Sequence, residues 1–437
     1  MDKEIEKFDP ATLQTTAIQP SIKSMNETLV LSRDEKIRLS ELAKRVAEIA
    51  ALPVQQEKAK LWTAHNDLKT QEPLVLIDPE NGWNECIPVS TLKCKVPLAR
   101  VWEMYLLKLI YSFEVLKDDK VIEPYFDVPL SFSDTGWGLE MKVKGGDHGG
   151  AYKHVQVIRD YDDDLPKIHY PKIIIDHEES AKVMELANDI FSGILTVRQK
   201  TGWWWSLGLT WEFICLRGLE ELMCDMVEEP ENVHKLMSLL FNGAMDKLDF
   251  LQENGCLSSN TEGTYVGSGG FGYTDELPKY GEKPVVTTKD MWGFVESQET
   301  IMVSPEMYKE FVFPYHMKIA ERFGLNCFGC CEYFIPRWES VRQLSGLRRV
   351  SVSPWENWEK LPEVLGTNYI SSIKPNPSRL AQSIMNEDVV RYDIKKAVAC
   401  AKDCVVEIIM KDNNTLGNNP SNASRWVEIV REEIAKV

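Results

Sequence analysis

Three of the chain's ten cysteines, Cys327, Cys330 and Cys331, fall within five residues and are followed directly by Glu332. Thiolates beside a carboxylate suit zinc, and a catalytic zinc keeps three protein ligands and one open position. Cys331, Cys330 and Glu332 are therefore candidate metal ligands. A reactive cysteine would instead need a base beside it, and no histidine follows His316, which argues against a Cys–His arrangement. Alternatively the pair is buried and inert, since a free cysteine packs as a small hydrophobe. Adjacent side chains diverge, so only one of Cys330 and Cys331 is expected to face a given cavity.

Comparable polar clusters close other apolar runs. Glu296, Gln298 and Glu299 follow Trp292–Val295, and Pro354-Trp355 follows 349–353. Lys374-Pro375-Asn376 follows 369–373, and Lys411-Asp412-Asn413-Asn414 follows 405–410. Packing does not ask strands to end this way, whereas a catalytic rim does. Glu296, Lys374, Lys411 and Asp412 are read as the groups that move protons or stabilise charge. Trp292, Gln298, Trp355 and Asn414 are read as substrate contacts. Four tryptophans in the nine residues 203–211 exceed what one tight core accommodates, so Trp204 and Trp205 are expected at a cavity wall.

The elements that position these groups follow from the hydrophobic pattern. Ser32-Arg33-Asp34-Glu35 has the form of a capping box, and Leu39, Leu42, Val46 and Ile49 give the next helix one apolar face until Pro53. A second helical piece spans about 58–68. The run 73–79 reads as a buried strand between prolines. Residues 96–118 read as a helix, 121–126 as a strand, 132–172 as loop-rich, 178–200 as a helix and 201–212 as strand-like. Helices at 216–226 and 231–254 follow, and Ser304-Pro305 opens another. From residue 325 onward, apolar runs alternate with helices in a βα period. That period implies a parallel sheet wrapped by helices, and at 437 residues the expected solution is an α/β fold of the (β/α)8 TIM barrel type, with an N-terminal helical extension and insertions. Residues 1–70 are read as the arm and helical extension, and 71–437 as the barrel.

Composition sets outer limits. A net charge of −17 argues against a nucleic-acid backbone or an anionic membrane as partner. No apolar run approaches the ~20 residues that span a bilayer. The charged start, Met1-Asp2-Lys3-Glu4, lacks the apolar core of a secretion signal, so a cytoplasmic location with reduced thiols is expected.

Taken together, Ser304-Pro305-Glu306-Met307 with Phe311 and Pro314, Phe328-Gly329-Cys330-Cys331-Glu332, 347–355, Lys374-Pro375-Asn376-Pro377 and Lys411-Asp412 resemble the uroporphyrinogen decarboxylase superfamily. The resemblance runs from about residue 35 and is to the branch of corrinoid-dependent methyltransferases. The arginine-rich N-terminal signature of true uroporphyrinogen decarboxylases is missing. Zinc methyltransferases of the superfamily carry His-x-Cys where this chain has Gly329-Cys330-Cys331, and a further cysteine near Asn413. Cys331 matches, while Gly329 and asparagine stand at the other ligand positions. The resemblance implies a methyltransferase that demethylates a small, methoxylated aromatic substrate and passes the methyl group to a separate corrinoid protein. It further implies zinc as cofactor, cobalamin carried by the partner, and room for a homodimer. Two alternatives stay open: a decarboxylase or lyase acting on a small carboxylated substrate through Lys374 or Lys411, and a non-catalytic ligand-binding barrel.

Overall fold

The computed structural model describes residues 29–70, 72–145, 152–201 and 206–436. Helix α1 (Arg33–Ala50) starts where its cap requires. The Ser32 side chain accepts the Glu35 N–H while the Glu35 carboxylate accepts the Ser32 N–H, an arrangement that stabilises a helix start by about 1 kcal/mol. Its apolar face, Leu39, Leu42, Val46 and Ile49, is buried. Helix α2 (Pro53–Asn66) begins on a proline, which has no N–H to leave unpaired in a first turn.

Strands in two parallel sets carry the fold: β1 (Leu74–Ile77), β2 (Tyr125–Pro129), β3 (Thr196–Lys200), β4 (Trp292–Val295), β5 (Leu325–Phe328), β6 (Leu347–Val352), β7 (Ile370–Ile373) and β8 (Val405–Met410). Six of them form one continuous parallel sheet in the order β1-β8-β7-β6-β5-β4, and β2 pairs with β3 in a separate parallel ladder. The chain is thus a mixed α/β protein. The free edges of β1 and β4 are satisfied by other segments. The Asp119 N–H donates to the Val75 carbonyl (2.8 Å), and the Asp119 carboxylate accepts the Val75 N–H (2.7 Å). On β4, the Asn260 amide pairs with both backbone groups of Trp292, each at 2.9 Å. A sheet edge in an interior must find such partners.

Both faces of the large sheet are buried, as parallel sheets require. Val75, Ile77, Val350, Val352, Ile373, Val406, Ile408 and Met410 belong to the main apolar core. Flanking helices close that core, among them α3 (Pro97–Tyr111), α5 (Thr210–Leu216), α6 (Leu219–Glu228), α7 (Pro230–Glu253), α8 (Pro305–Phe311), α9 (Phe313–Ala320), α10 (Glu387–Cys400) and α11 (Ser421–Ile434), while α4 (His177–Phe191) packs with α1 and α3 in a second core. Residues of the opposite parity, Leu74, Leu76 and Ile409, pack against Trp62 of α2, Phe271 and Tyr273. That inner face is filled by a glycine-rich hairpin, Val266-Gly267-Ser268-Gly269-Gly270-Phe271, held by an antiparallel bridge between Tyr265 and Phe271. Gly267 has φ +68°, and a Cβ there would lie 2.6 Å from Cys327 Cβ. A Cβ on Gly270 would lie 2.9 Å from the Glu407 carboxylate. Only glycine lets the hairpin approach the strands so closely.

Several boundaries differ from the sequence reading. The expected helix 178–200 stops at Phe191, where Gly193 at φ +80° ends it, and the remainder is β3. The strand expected at 121–126 runs from Tyr125 to Pro129. The loop-rich 132–172 contains antiparallel ribbon strands, Phe132–Asp134 paired with Ile173–Ile175 and Lys142–Gly145 paired with Tyr152–Val155. Of the strand-like 201–212, residues 202–205 lie outside the described residues, and helix α5 starts at Thr210. Among the described residues no helix is long and apolar enough to cross a membrane.

Candidate functional site

The polar clusters read from the sequence stand where the strands of the sheet end. Glu296 follows β4, Gly329–Glu332 follows β5, Ser353–Trp355 follows β6, Lys374 follows β7 and Lys411–Asn414 follows β8. Parallel strands deliver the residues after their last rung to one edge, so a common rim follows from the topology alone.

Glu332 organises the β4 and β5 ends. It is buried, and one carboxylate oxygen accepts the Ser297 N–H (2.9 Å) while the other accepts the Cys330 N–H (2.6 Å). Gly329, at φ +86°, makes the turn that brings these amides round. Glu296 is only 1% exposed; Oε2 accepts the Gln298 N–H at 3.0 Å, and Oε1 has no hydrogen-bond partner. Burial, then Glu299 and Glu332 nearby, push the Glu296 carboxyl well above the ordinary range, which favours its protonated form. Burial also raises Glu299, which accepts the Thr210 hydroxyl at 2.7 Å.

Lysines occupy the β7 and β8 ends. The buried Lys374 ammonium donates to the Ser372 hydroxyl (2.5 Å) and the Ser372 carbonyl (3.1 Å). Burial lowers it to about 8. Ser372 in turn donates to Glu407 of β8, whose carboxylate meets the Arg349 guanidinium at 2.9 Å in the sheet's inner face. For Lys411, burial works against the charge, but Asp412 and Glu80 (Nζ–Oε1 3.4 Å) hold the ammonium above its usual range. Asp412 is exposed and sits at φ +61°, and Asn414, also exposed, accepts from the Asn81 side chain at 3.0 Å.

The two adjacent thiols take different environments. Cys330 is buried and receives the Ser268 hydroxyl from the glycine hairpin at 3.4 Å, whereas Cys331 is partly exposed. Their sulfurs lie 3.7 Å apart. Contact with Cys331 and burial together push the Cys330 thiol well above its usual range. Both oxygens of Glu332 are committed to backbone N–H groups, and among the described residues no three His, Cys, Asp or Glu side chains converge as a metal site. As arranged, Cys330, Cys331 and Glu332 do not make a three-ligand site of the kind a catalytic zinc uses.

Two cavities border the rim. One, of ≈ 360 Å³, is walled by Trp137, Trp211, Leu207 and Leu209 and carries Glu296, Gln298, Glu212 and Lys247. The other, of ≈ 510 Å³, lies outside β6 and β7, where Trp355 and Trp358 face Asn376, Arg379 and Lys396. The structure thus joins Glu296 to Gln298 and puts Trp355, 57% exposed, in a different cavity. Trp292 stands at the opposite end of β4, buried, with its indole N–H donating to the Gly272 carbonyl at 2.9 Å. It is a core ring, not a rim contact. Trp204 and Trp205 lie outside the described residues. The sequence reading passed over Ser268, Trp137 and Glu212. Four glycines in six residues at 267–272 were a legible sign of close backbone approach, but nothing local marks Trp137 or Glu212.

No protein-family model and no curated protein matches the chain. Among solved structures it is similar to a methyltransferase from Methanosarcina mazei, with 12% identity and a TM-score of 0.42 over 75% of this chain and 85% of that one, a likeness that carries no functional weight.

Proposed function

We propose that the chain is a methyltransferase that takes a methyl group from a small donor in the ≈ 360 Å³ cavity and passes it to a separate corrinoid protein docked over the strand ends. The observation that supports this most is Glu296, a buried carboxyl with one unpartnered oxygen, pushed by burial toward its protonated form, in the wall of an aromatic cavity. An alkoxide or phenolate leaves poorly unless it is protonated, and a neutral buried acid is the group that can do so. With a methoxylated donor, the carbon–oxygen bond breaks with its electron pair on oxygen, Glu296 supplies the proton, and the methyl carbon passes to the acceptor. A reduced corrinoid supplies that acceptor's nucleophile. Trp137 and Trp211 hold the donor by apolar contact and shield it from water.

The same proposal takes the eight parallel strands as a closed (β/α)8 barrel, with β2–β3 filling the arc between β1 and β4. The edge bonds of Asp119 and Asn260 lie in those two junctions. No step of this mechanism is assigned to zinc, since no three ligands converge among the described residues.

The test is purified protein mixed with cob(I)alamin and a panel of methyl donors, followed by the absorbance of methylcobalamin. Formation that falls on the order of 100-fold in Glu296→Gln is expected for an acid that protonates the leaving group. No methyl transfer from any donor overturns the proposal. Decarboxylation is favoured by one observation, the neighbouring lysines Lys374 and Lys411 at the β7 and β8 ends, and it would release carbon dioxide with no corrinoid present.

A further inference from the structure

An ether donor asks for one protonated acid, yet the cavity at Glu296 holds more acid than that. Its wall carries two carboxyls, Glu296 and Glu212, and one ammonium, Lys247. Lys247 lies 2.8 Å from the Asp134 carboxylate, so its charge is already answered on that side. Glu299, bound to Thr210, adds a third carboxyl close enough to Glu296 and Glu212 to raise both. Apart from Ser206 and Gln298, the remaining wall is aromatic and apolar. Trp137 is buried, its ring packed on Gly243 of α7, where a Cβ would come within 2.6 Å. Trp211 is 41% exposed and meets the His154 ring edge-on at 4.9 Å. Aromatic faces combined with carboxyls are the elements that recognise a quaternary or methylated ammonium. The observation that separates this from a mere acidic patch is Glu296 itself, 1% exposed with Oε1 unpartnered.

Resting on the methyltransferase reading, we infer that the cavity selects a cationic methyl donor, a methylated ammonium, in preference to a neutral methoxylated one. The chemistry then balances without an acid. The carbon–nitrogen bond breaks with its electron pair left on nitrogen, a neutral amine departs, and the methyl carbon receives the electron pair of the reduced corrinoid's nucleophile. A cation beside Glu296 stabilises its carboxylate, so entry of the donor draws the carboxyl toward loss of its proton. Loss of the positive charge on methyl transfer removes that stabilisation, and the amine product is held less tightly than the donor.

Choline and its neutral isostere 3,3-dimethylbutan-1-ol separate charge from shape. Titration calorimetry on the full chain at pH 7, in two buffers of different ionisation enthalpy, is expected to show choline binding at least tenfold tighter than the isostere, with proton release. Glu296→Gln should abolish the proton release and most of the preference. Trp211→Ala, at a half-exposed position that folding tolerates, should weaken choline more than the isostere. Equal binding of the two compounds, binding of neither, or a preference unchanged in both variants overturns the inference. The parent reading fails separately. Choline selectivity without methyl transfer to cob(I)alamin retains the cation site and removes the methyltransferase. Methyl transfer from a methoxylated arene, with no choline preference, does the reverse.

Discussion

Glu407→Gln tests whether the ionic pair inside the sheet is a structural keystone. The Glu407 carboxylate is fully buried; Arg349 Nε lies 2.9 Å and Nη2 3.2 Å from it, and Ser372 donates to it as well. Burial alone would raise its pKa, but Arg349, followed by His65 and Lys374, holds it at about 2 against an ordinary 4.5. That depression corresponds to about 3 kcal/mol. A depressed carboxylate contributes stability that is fully present above its unfolded pKa and lost as pH falls through the folded one, so the wild type should lose this contribution between about pH 4.5 and pH 2. At pH 7, Glu407→Gln removes it outright and leaves the Arg349 guanidinium buried without its counter-charge, a loss typically of about 3–5 kcal/mol. For a chain of this length the unfolding entropy is roughly 0.9 kcal/mol per degree, so the melting temperature should fall by about 4 °C. Urea unfolding at pH 7 and a melting series from pH 2 to 7 measure both effects. Pairing Arg349→Met with Glu407→Leu should recover part of the loss, because two apolar groups leave no unpaired charge. A Glu407→Gln protein within about 0.5 kcal/mol of wild type would falsify the keystone role.

Other outcomes follow from the same geometry. Alkylation by iodoacetamide at pH 7.5, read by peptide mass, should modify exposed Cys224 and partly exposed Cys331 before buried Cys330 and Cys327, the last of which burial pushes up to about 11. Early loss of Cys327 would place it nearer solvent than the structure does. Gly267→Ala should destabilise by about 2 kcal/mol or more, because it adds a Cβ at positive φ against Cys327; a neutral effect in urea unfolding would mean that the hairpin does not fill the inner face. Trp292→Phe should cost about 2 kcal/mol through a lost indole hydrogen bond and a small cavity. It should leave the substrate KM unchanged, and a raised KM at wild-type stability would return Trp292 to the rim.

Much of the architecture was readable before any coordinates. The last four strands, the Ser32 capping box and the strand-end placement of Glu296, Cys331, Lys374 and Lys411 all rest on local pattern: runs of apolar residues, a cap spacing, and polar groups where a run stops. Such signals survive because a parallel strand buried on both faces must be apolar almost throughout. The β3 strand, Thr196–Lys200, escaped because it alternates around a buried Arg198, whose charge is answered by Asp127 and Glu262 from elsewhere in the chain. Composition cannot distinguish that arginine from a solvated one.

The site divides in the same way. Types and spacing placed the acids and lysines on one rim, but which oxygens were already occupied was a tertiary question. Ser297, 35 residues from Glu332, takes one of its oxygens, and among the described residues no three metal-ligating side chains converge. Likewise the cavity brings Trp137, Trp211 and Glu296 from three distant segments into one wall and assigns Trp355 to another. The sequence alone determined which residues reach the strand ends, because that depends on periodicity along the chain. Only the folded structure decided which of them share a cavity and which carboxyl keeps a free oxygen, because those depend on partners that no local pattern encodes.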